Sequence, residues 1–235
     1  MSNLSGFILI NKPKDITSFQ VIRYLKKFLP KNTKIGHAGT LDPFATGLMI
    51  IAISREYTKK ISMFLNSDKE YIATAQLGIL TDTLDLTGSI IKECDHAITQ
   101  DSIQNSIEEL KDNYVQIPPI YSALKYQGKA LYKLARNKKL SEQDLNKISQ
   151  NKKREVKIYS IDILEFNDPY LKIKTQVSHG TYIRSLVNDI AQMAGTVATT
   201  QELMRTKIDN YSLDQALELE KIKDAEMIEK NLLKI

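Results

Sequence analysis

Apolar residues in this chain come in short runs broken by polar, glycine- and proline-containing stretches, and the period of each run predicts an element. Gly6 to Ile10 reads as a short buried strand. Thr17-Ser18 then caps a helix whose apolar positions Phe19, Ile22, Leu25, Phe28 and Leu29 keep the helical spacing until Pro30 ends it. Leu48 to Ile53 is apolar throughout, as a strand buried on both faces would be, and a helix is expected from about Tyr57 to Leu65. Lys69 to Gly78 alternates like a strand and leads into a polar loop, Thr81 to Gly88. Thr99 to Lys111 forms an amphipathic helix with Ile103, Ile107 and Leu110 on one face. A helix from about Lys129 would set Lys129, Lys133 and Arg136 on one side. Asn137 to Lys153 is polar and poor in aromatics, and is expected to be an exposed insertion with a short helix from Ser141 to Ile148. Val156–Phe166 and Tyr170–Val177 read as a hairpin turning at Asn167-Asp168-Pro169, and Thr181 as the cap of a following helix.

Between the first helix and the apolar strand lies Lys34 to Gly47, fourteen residues with three glycines, a proline, two threonines, one histidine and one aspartate. Glycine permits crowded or left-handed backbone, and Pro43 fixes its own φ while pushing Asp42 toward an extended geometry. Such a loop can hold one carboxylate in place, as a nucleophile or general base requires. On loop chemistry alone, an ordinary Gly/Pro/Asp connection remains the competing explanation.

Composition narrows the class. The 235 residues are 42% hydrophobic and 26% charged, as in globular proteins, and no apolar run is long enough to cross a bilayer. One cysteine, Cys94, excludes an internal disulfide framework, and three scattered histidines lack zinc-site spacing. With no signal-peptide layout, a cytoplasmic protein is expected. The net charge is +5. Its basic residues cluster at Lys26, Lys27, Lys31 and Lys34, at Lys125, Lys129, Lys133, Arg136, Lys138 and Lys139, and at Lys152, Lys153, Arg154 and Lys157. These clusters suit either a solvated surface or an anionic partner.

The segment GHAGTLDPFATGLM, residues 36–49, resembles the catalytic motif of the bacterial tRNA pseudouridine-55 synthases, the TruB family. Further blocks follow in order. NKPKDITS at residues 11–18 is similar to the family's NKPxGxTS, with Asp15 where glycine is usual. Lys69 to Gly88 resembles KxYxxxxxLGxxTDTxDxxG, and Pro118 to Gly128 resembles PPxYSAxKxxG. SHGTYIRSL at residues 178–186 resembles SKGTYIRxL with His179 for lysine, and Leu203-Met204-Arg205-Thr206 resembles LRRT with Met204 for an arginine. The likeness runs from about Gly6 to Leu219.

This resemblance implies an α/β (α+β) pseudouridine-synthase fold, a mixed and largely antiparallel sheet flanked by helices around a central cleft. It assigns residues 1–220 to the catalytic domain and 221–235 to a short tail without a full PUA-type domain, which leads us to expect weaker, more salt-sensitive tRNA binding. It implies Asp42 as nucleophile, Arg184 as its ion-pair partner and Tyr71 stacked on the uracil. His37 would occupy the space of the flipped base, Leu203 would wall the pocket, and Tyr182 would contact substrate. Lys12, Pro13 and Gly39 would support the site from beneath. The reaction implied is uridine to pseudouridine in the T-loop of tRNA, needing neither cofactor nor metal nor guide RNA, by a monomer with no membrane partner. Two alternatives share the basic clusters: a tRNA-folding helper, and a synthase acting on another RNA.

Overall fold

The computed structural model describes residues 4–95, 97–110, 114–137 and 140–234. Lys138 and Lys139 of the second basic cluster, and Lys111 at the end of the amphipathic helix, lie outside the described residues. The chain divides into two units, Met1–Ile72 with Glu202–Ile235, and Ala73–Gln201.

The first unit begins with β1 (Gly6–Lys12), helix α1 (Ser18–Leu25) and a 3-10 turn, Lys26–Phe28. It continues with β2 (Ile35–His37), β3 (Thr46–Ile53), α2 (Arg55–Lys59), α3 (Ser62–Leu65) and the start of β4 (Lys69–Leu77). After the second unit, the chain returns through β13 (Ala198–Ile208), β14 (Tyr211–Ser212), β15 (Leu217–Glu218) and α8 (Ala225–Lys230). In this unit β1 lies antiparallel to β3 and parallel to β15, while β3 also pairs antiparallel with β2 and parallel with β13.

β3 reads as one apolar run because both of its faces are covered. Met49, Ile51 and Ile53 join Ile8, Ile10, Val21, Leu25 and Ile228 in one core. Leu48, Ile50 and Ala52 join Phe7, Leu9, Tyr57, Phe64 and Ile208 in another. Phe7 meets Tyr57 and Phe64 edge-on, at centroid distances of 5.1 and 4.9 Å. The unit draws on both ends of the chain: the Phe7 and Leu233 backbones exchange both hydrogen bonds, at 2.9 and 2.7 Å.

The N-terminus of α1 has the full capping box. The Thr17 hydroxyl accepts from the Gln20 amide, and the Gln20 side chain accepts from the Thr17 amide at 2.7 Å. Phe19 departs from expectation. It counts toward the helical period, yet it is 64% exposed, and Val21, Ile22 and Leu25 make the buried face. The single helix expected up to Leu65 is two short ones, α2 and α3. The Gly- and Pro-rich stretch also conceals β2, three residues laid against β3.

The second unit holds the rest of β4, then β5 (Ile79–Thr81), β6 (Ile90–Glu93), α4 (Gln100–Leu110), β7 (Val115–Gln116), β8 (Lys125–Tyr126), β9 (Lys129–Ala130), α5 (Leu131–Arg136), α6 (Glu142–Gln150), β10 (Arg154–Glu155), β11 (Ile158–Asn167), β12 (Tyr170–Val177), α7 (Ile183–Met193) and the start of β13. β11 and β12 form the expected hairpin, and α4 packs against α7 and β11 with Ile103, Ile107 and Leu110 buried. Lys129 belongs to β9, paired with β8, so it does not share a helix with Lys133 and Arg136. Within 137–153, α6 starts at the Ser141 cap and buries Leu145 against Leu131 and Leu134 of α5, while most of its other residues face solvent. The Ser149 hydroxyl donates to the Pro118 carbonyl.

Candidate active site

In the first unit, the segment between β2 and β3 that carries Asp42 is held by three buried polar side chains from distant parts of the sequence. The first is Lys12, the last residue of β1. It is fully buried, and its Nζ donates to the carbonyls of Pro13 (2.8 Å), Ile16 (2.8 Å) and Pro43 (3.1 Å). The Asp15 amide donates to the same Pro43 carbonyl at 2.8 Å. To do so, Asp15 adopts φ +66, which explains why an Asx residue can stand where glycine is usual in this turn.

The second is Ser18, the first residue of α1. Its hydroxyl accepts from the Leu41 amide at 2.8 Å and donates to the Leu41 carbonyl at 2.9 Å, fixing the residue before Asp42. The third is Arg205 on β13, 1% exposed. Its Nε donates to the Leu48 carbonyl at 2.8 Å, and its two terminal nitrogens reach the Thr40 and Gly39 carbonyls at 3.4 Å each. Gly39, at φ +103, turns the chain beneath that guanidinium. Gly47, at φ +108, lets the strands close: a Cβ there would stand 2.4 Å from the Arg205 carbonyl oxygen. The loop itself closes with the Ala45 amide donating to the Asp42 carbonyl at 3.1 Å.

These groups are coupled electrostatically. Burial, aided by the Arg205 cation, lowers the Lys12 ammonium to about 8, while the charges of Asp42 and Asp15 oppose the shift. Lys12 therefore remains a cation at neutral pH. Burial and then Arg205 also hold the His37 imidazole below its ordinary value, against a smaller opposing contribution from the Gly39 backbone, and its Nδ1 is buried without a hydrogen-bond partner among the described residues. Tyr71, 7% exposed, stands at an inward position of β4, and Leu203, 6% exposed, at an inward position of β13, the neighbouring strand.

Tyr182 and Arg184 belong to the second unit. Thr181 is not the cap expected of it: its hydroxyl donates back to the Ser178 carbonyl, and Tyr182 is the residue preceding α7. That end lacks a side-chain cap of its own, and Gln116 supplies the missing order. Its amide oxygen accepts from Tyr182 N at 2.7 Å, and its nitrogen donates to Tyr182 O and to the Tyr114 hydroxyl, both at 2.9 Å. Tyr114 in turn donates to Asp189 at 2.5 Å. The Arg184 guanidinium, 3% exposed, donates to the carbonyls of Thr83 (2.5 Å) and Tyr121 (2.8 Å) and lies 3.5 Å from Asp85. Asp85 Oδ1 accepts from Thr83 Oγ1, Thr87 N and Thr87 Oγ1 at 2.5–2.9 Å, so this carboxylate is itself fixed. Sequence reasoning gave no site role to Asp85, Gln116 or Arg205, and gave Ser18 only a place in the helix cap. The signal for Arg205 was a cation at the same strand parity as Leu203.

Comparison with known proteins places this arrangement. The profile of the TruB family pseudouridylate synthase N-terminal domain matches residues 26–183, and that of the tRNA pseudouridylate synthase B C-terminal domain matches 184–234. The chain belongs to the TruB family of pseudouridylate synthases. It is therefore an enzyme of the isomerase class. Similar curated proteins, named tRNA pseudouridine synthase B, come from Clostridium tetani (42% identical, covering 94% of this chain and 73% of that one) and Protochlamydia amoebophila (40%, covering 99% and 85%). A third, from Fusobacterium nucleatum, is 44% identical over 90% of this chain and 70% of its own. Among solved structures, a chain of a Cbf5–Nop10–Gar1 complex superposes with a TM-score of 0.68 at 26% identity, covering 92% of this chain. This chain spans about half of that one, 53%. The TruB-family fold thus carries the Asp42 loop on a frame closed by both ends of the sequence. No group of three or more potential metal ligands occurs among the described residues, and no described helix is long and apolar enough to cross a membrane.

Proposed function

We propose that this TruB-family enzyme converts uridine to pseudouridine at position 55 in the T-loop of tRNA, without a guide RNA and with Asp42 as nucleophile. The tRNA assignment draws on the names of the curated relatives. The observation that carries the nucleophile is the bracing of the Asp42 loop by Lys12, Ser18 and Arg205, since a nucleophile acts only from a fixed position.

In this reading the glycosidic N1–C1′ bond breaks, the uracil turns, and C5 bonds to C1′. The proton leaving C5 is balanced by one gained at N1, so the step is an isomerisation with no electrons exchanged. The target base leaves its stack at a cost of about a few kcal/mol. Tyr71 gives it an aromatic face and Leu203 an apolar wall, and Tyr182 is a further substrate contact by resemblance to the family. His37, held neutral at physiological pH by burial and by Arg205, fills the vacated space as an uncharged ring. Arg184, held within the second unit by Asp85 and two carbonyls, is the cation that the resemblance to the family assigns to the reaction.

The test is pseudouridine mapping on unmodified tRNA transcripts. The wild-type protein should give product at position 55 with nothing else added, and Asp42→Asn should give none while still binding tRNA. Turnover by Asp42→Asn would remove the nucleophile assignment, and product only after addition of a guide RNA would redirect the substrate assignment.

A further inference from the structure

Helix α1 buries Ser18, Val21, Ile22 and Leu25 and leaves its other face open. On that face Phe19 is 64% exposed, the most exposed large apolar side chain among the described residues. Arg23 follows one turn later on the same side, and Lys26 and Lys27 continue it into the 3-10 turn; all three are exposed. From Ile16 to Leu41 the chain carries five lysines and arginines and no aspartate or glutamate. The face therefore joins one bare aromatic ring to a cluster of exposed cations. It is also fixed to the active loop, because Ser18, beside Phe19, holds both backbone polar groups of Leu41, the neighbour of Asp42.

We propose that this face is a nucleic-acid platform. Phe19 stacks on an unpaired base or ribose of the substrate RNA near the target nucleotide, and Arg23 and Lys27 hold the flanking phosphates. The inference rests on the RNA-substrate reading above. Charge complementarity selects an RNA over a protein partner: a single ring is far too small an apolar area for a protein interface, and cations without carboxylates match a phosphate chain.

The experiment uses the full chain and unmodified tRNA transcripts, with affinity measured across a salt titration. Phe19→Ala and Phe19→Leu should weaken binding about 5- to 100-fold with the salt slope unchanged, and Phe19→Tyr should restore it. Arg23→Gln with Lys27→Gln should lower the slope of log K against log salt by about 1–2. Melting temperatures should stay at the wild-type value, since these side chains are exposed. Wild-type protein that binds tRNA while Phe19→Ala stays within twofold of it would overturn the platform alone. Equal affinity of Phe19→Leu and wild type would replace stacking by simple apolar contact and also overturn it. Failure of the wild-type protein to bind tRNA would overturn the RNA reading, and the platform with it.

Discussion

Replacing Arg205 by methionine tests the bracing of the Asp42 loop most directly. Methionine keeps much of the apolar stem and removes the guanidinium, so little cavity forms. What is lost is one short charged hydrogen bond, Nε to the Leu48 carbonyl at 2.8 Å, and two long ones at 3.4 Å to Thr40 and Gly39. A hydrogen bond to a charged donor contributes about 1.5–3 kcal/mol, and each buried carbonyl left unpaired costs about 1–3 kcal/mol. Relief of repulsion with Lys12, Lys69 and His37, all of whose proton affinities Arg205 depresses, offsets part of this. The net loss should be about 2–4 kcal/mol, or roughly 5–15 °C in melting temperature for a chain of this size. Denaturant unfolding measures it. Single-turnover kinetics should show a rate at least about 100-fold lower with tRNA affinity nearly intact, because misplacing a reacting group by about 1 Å costs that much. An NMR titration gives an independent readout: the His37 pKa should rise in Arg205→Met. A stability loss under about 0.5 kcal/mol together with an unmoved His37 would refute the reasoning.

Two further outcomes follow from other parts of the structure. Lys12 and Lys69 both hold their protons less tightly folded than unfolded, at about 8 against 10.5, so the unfolded chain binds more protons above pH 8. Stability should therefore rise between about pH 8 and 10.5, by at most ~1.4 kcal/mol per pH unit for each lysine. Lys12→Met should remove about half of that slope, and urea melts at several pH values that show parallel slopes would count against the coupling. Gln116→Met leaves the Tyr182 amide without its acceptor, removes one of two donors to the Tyr182 carbonyl, which keeps the Leu186 amide at 3.0 Å, and leaves the Tyr114 hydroxyl without its donor. It should cost about 2–4 kcal/mol and lower kcat more than it raises KM; an unchanged kcat would show that α7 is set by other contacts.

Long periodic elements were legible in the sequence because burial imposes their period. β1, β3, β4, α4 and the β11–β12 hairpin follow their apolar positions closely. Short strands such as β2, β5, β8 and β9 are stabilised by their pairing partners, and two or three residues hold no period to read. Phe19 and Lys129 show the same limit from the other side, since each fits a helical spacing that tertiary packing does not honour. The loop around Asp42 was legible as a place to hold a carboxylate. Of its braces only Lys12 was expected, through the family resemblance; Ser18 and Arg205 were not, because they meet the loop across long stretches of chain, and side-chain-to-backbone hydrogen bonds leave no pattern in composition. A buried arginine or lysine reads as surface until its acceptors are seen.

The order of these braces along the chain has a consequence for the newborn protein. Lys12 and Ser18 precede the Asp42 loop and are available as soon as it emerges from the ribosome. Arg205 is made more than one hundred and fifty residues later, and the Leu233 backbone that pairs with Phe7 later still. Until then β3 has neither β13 beside it nor α8 over one face. The nascent chain thus carries the Asp42 carboxylate in an unset loop until β13 and α8 have been made.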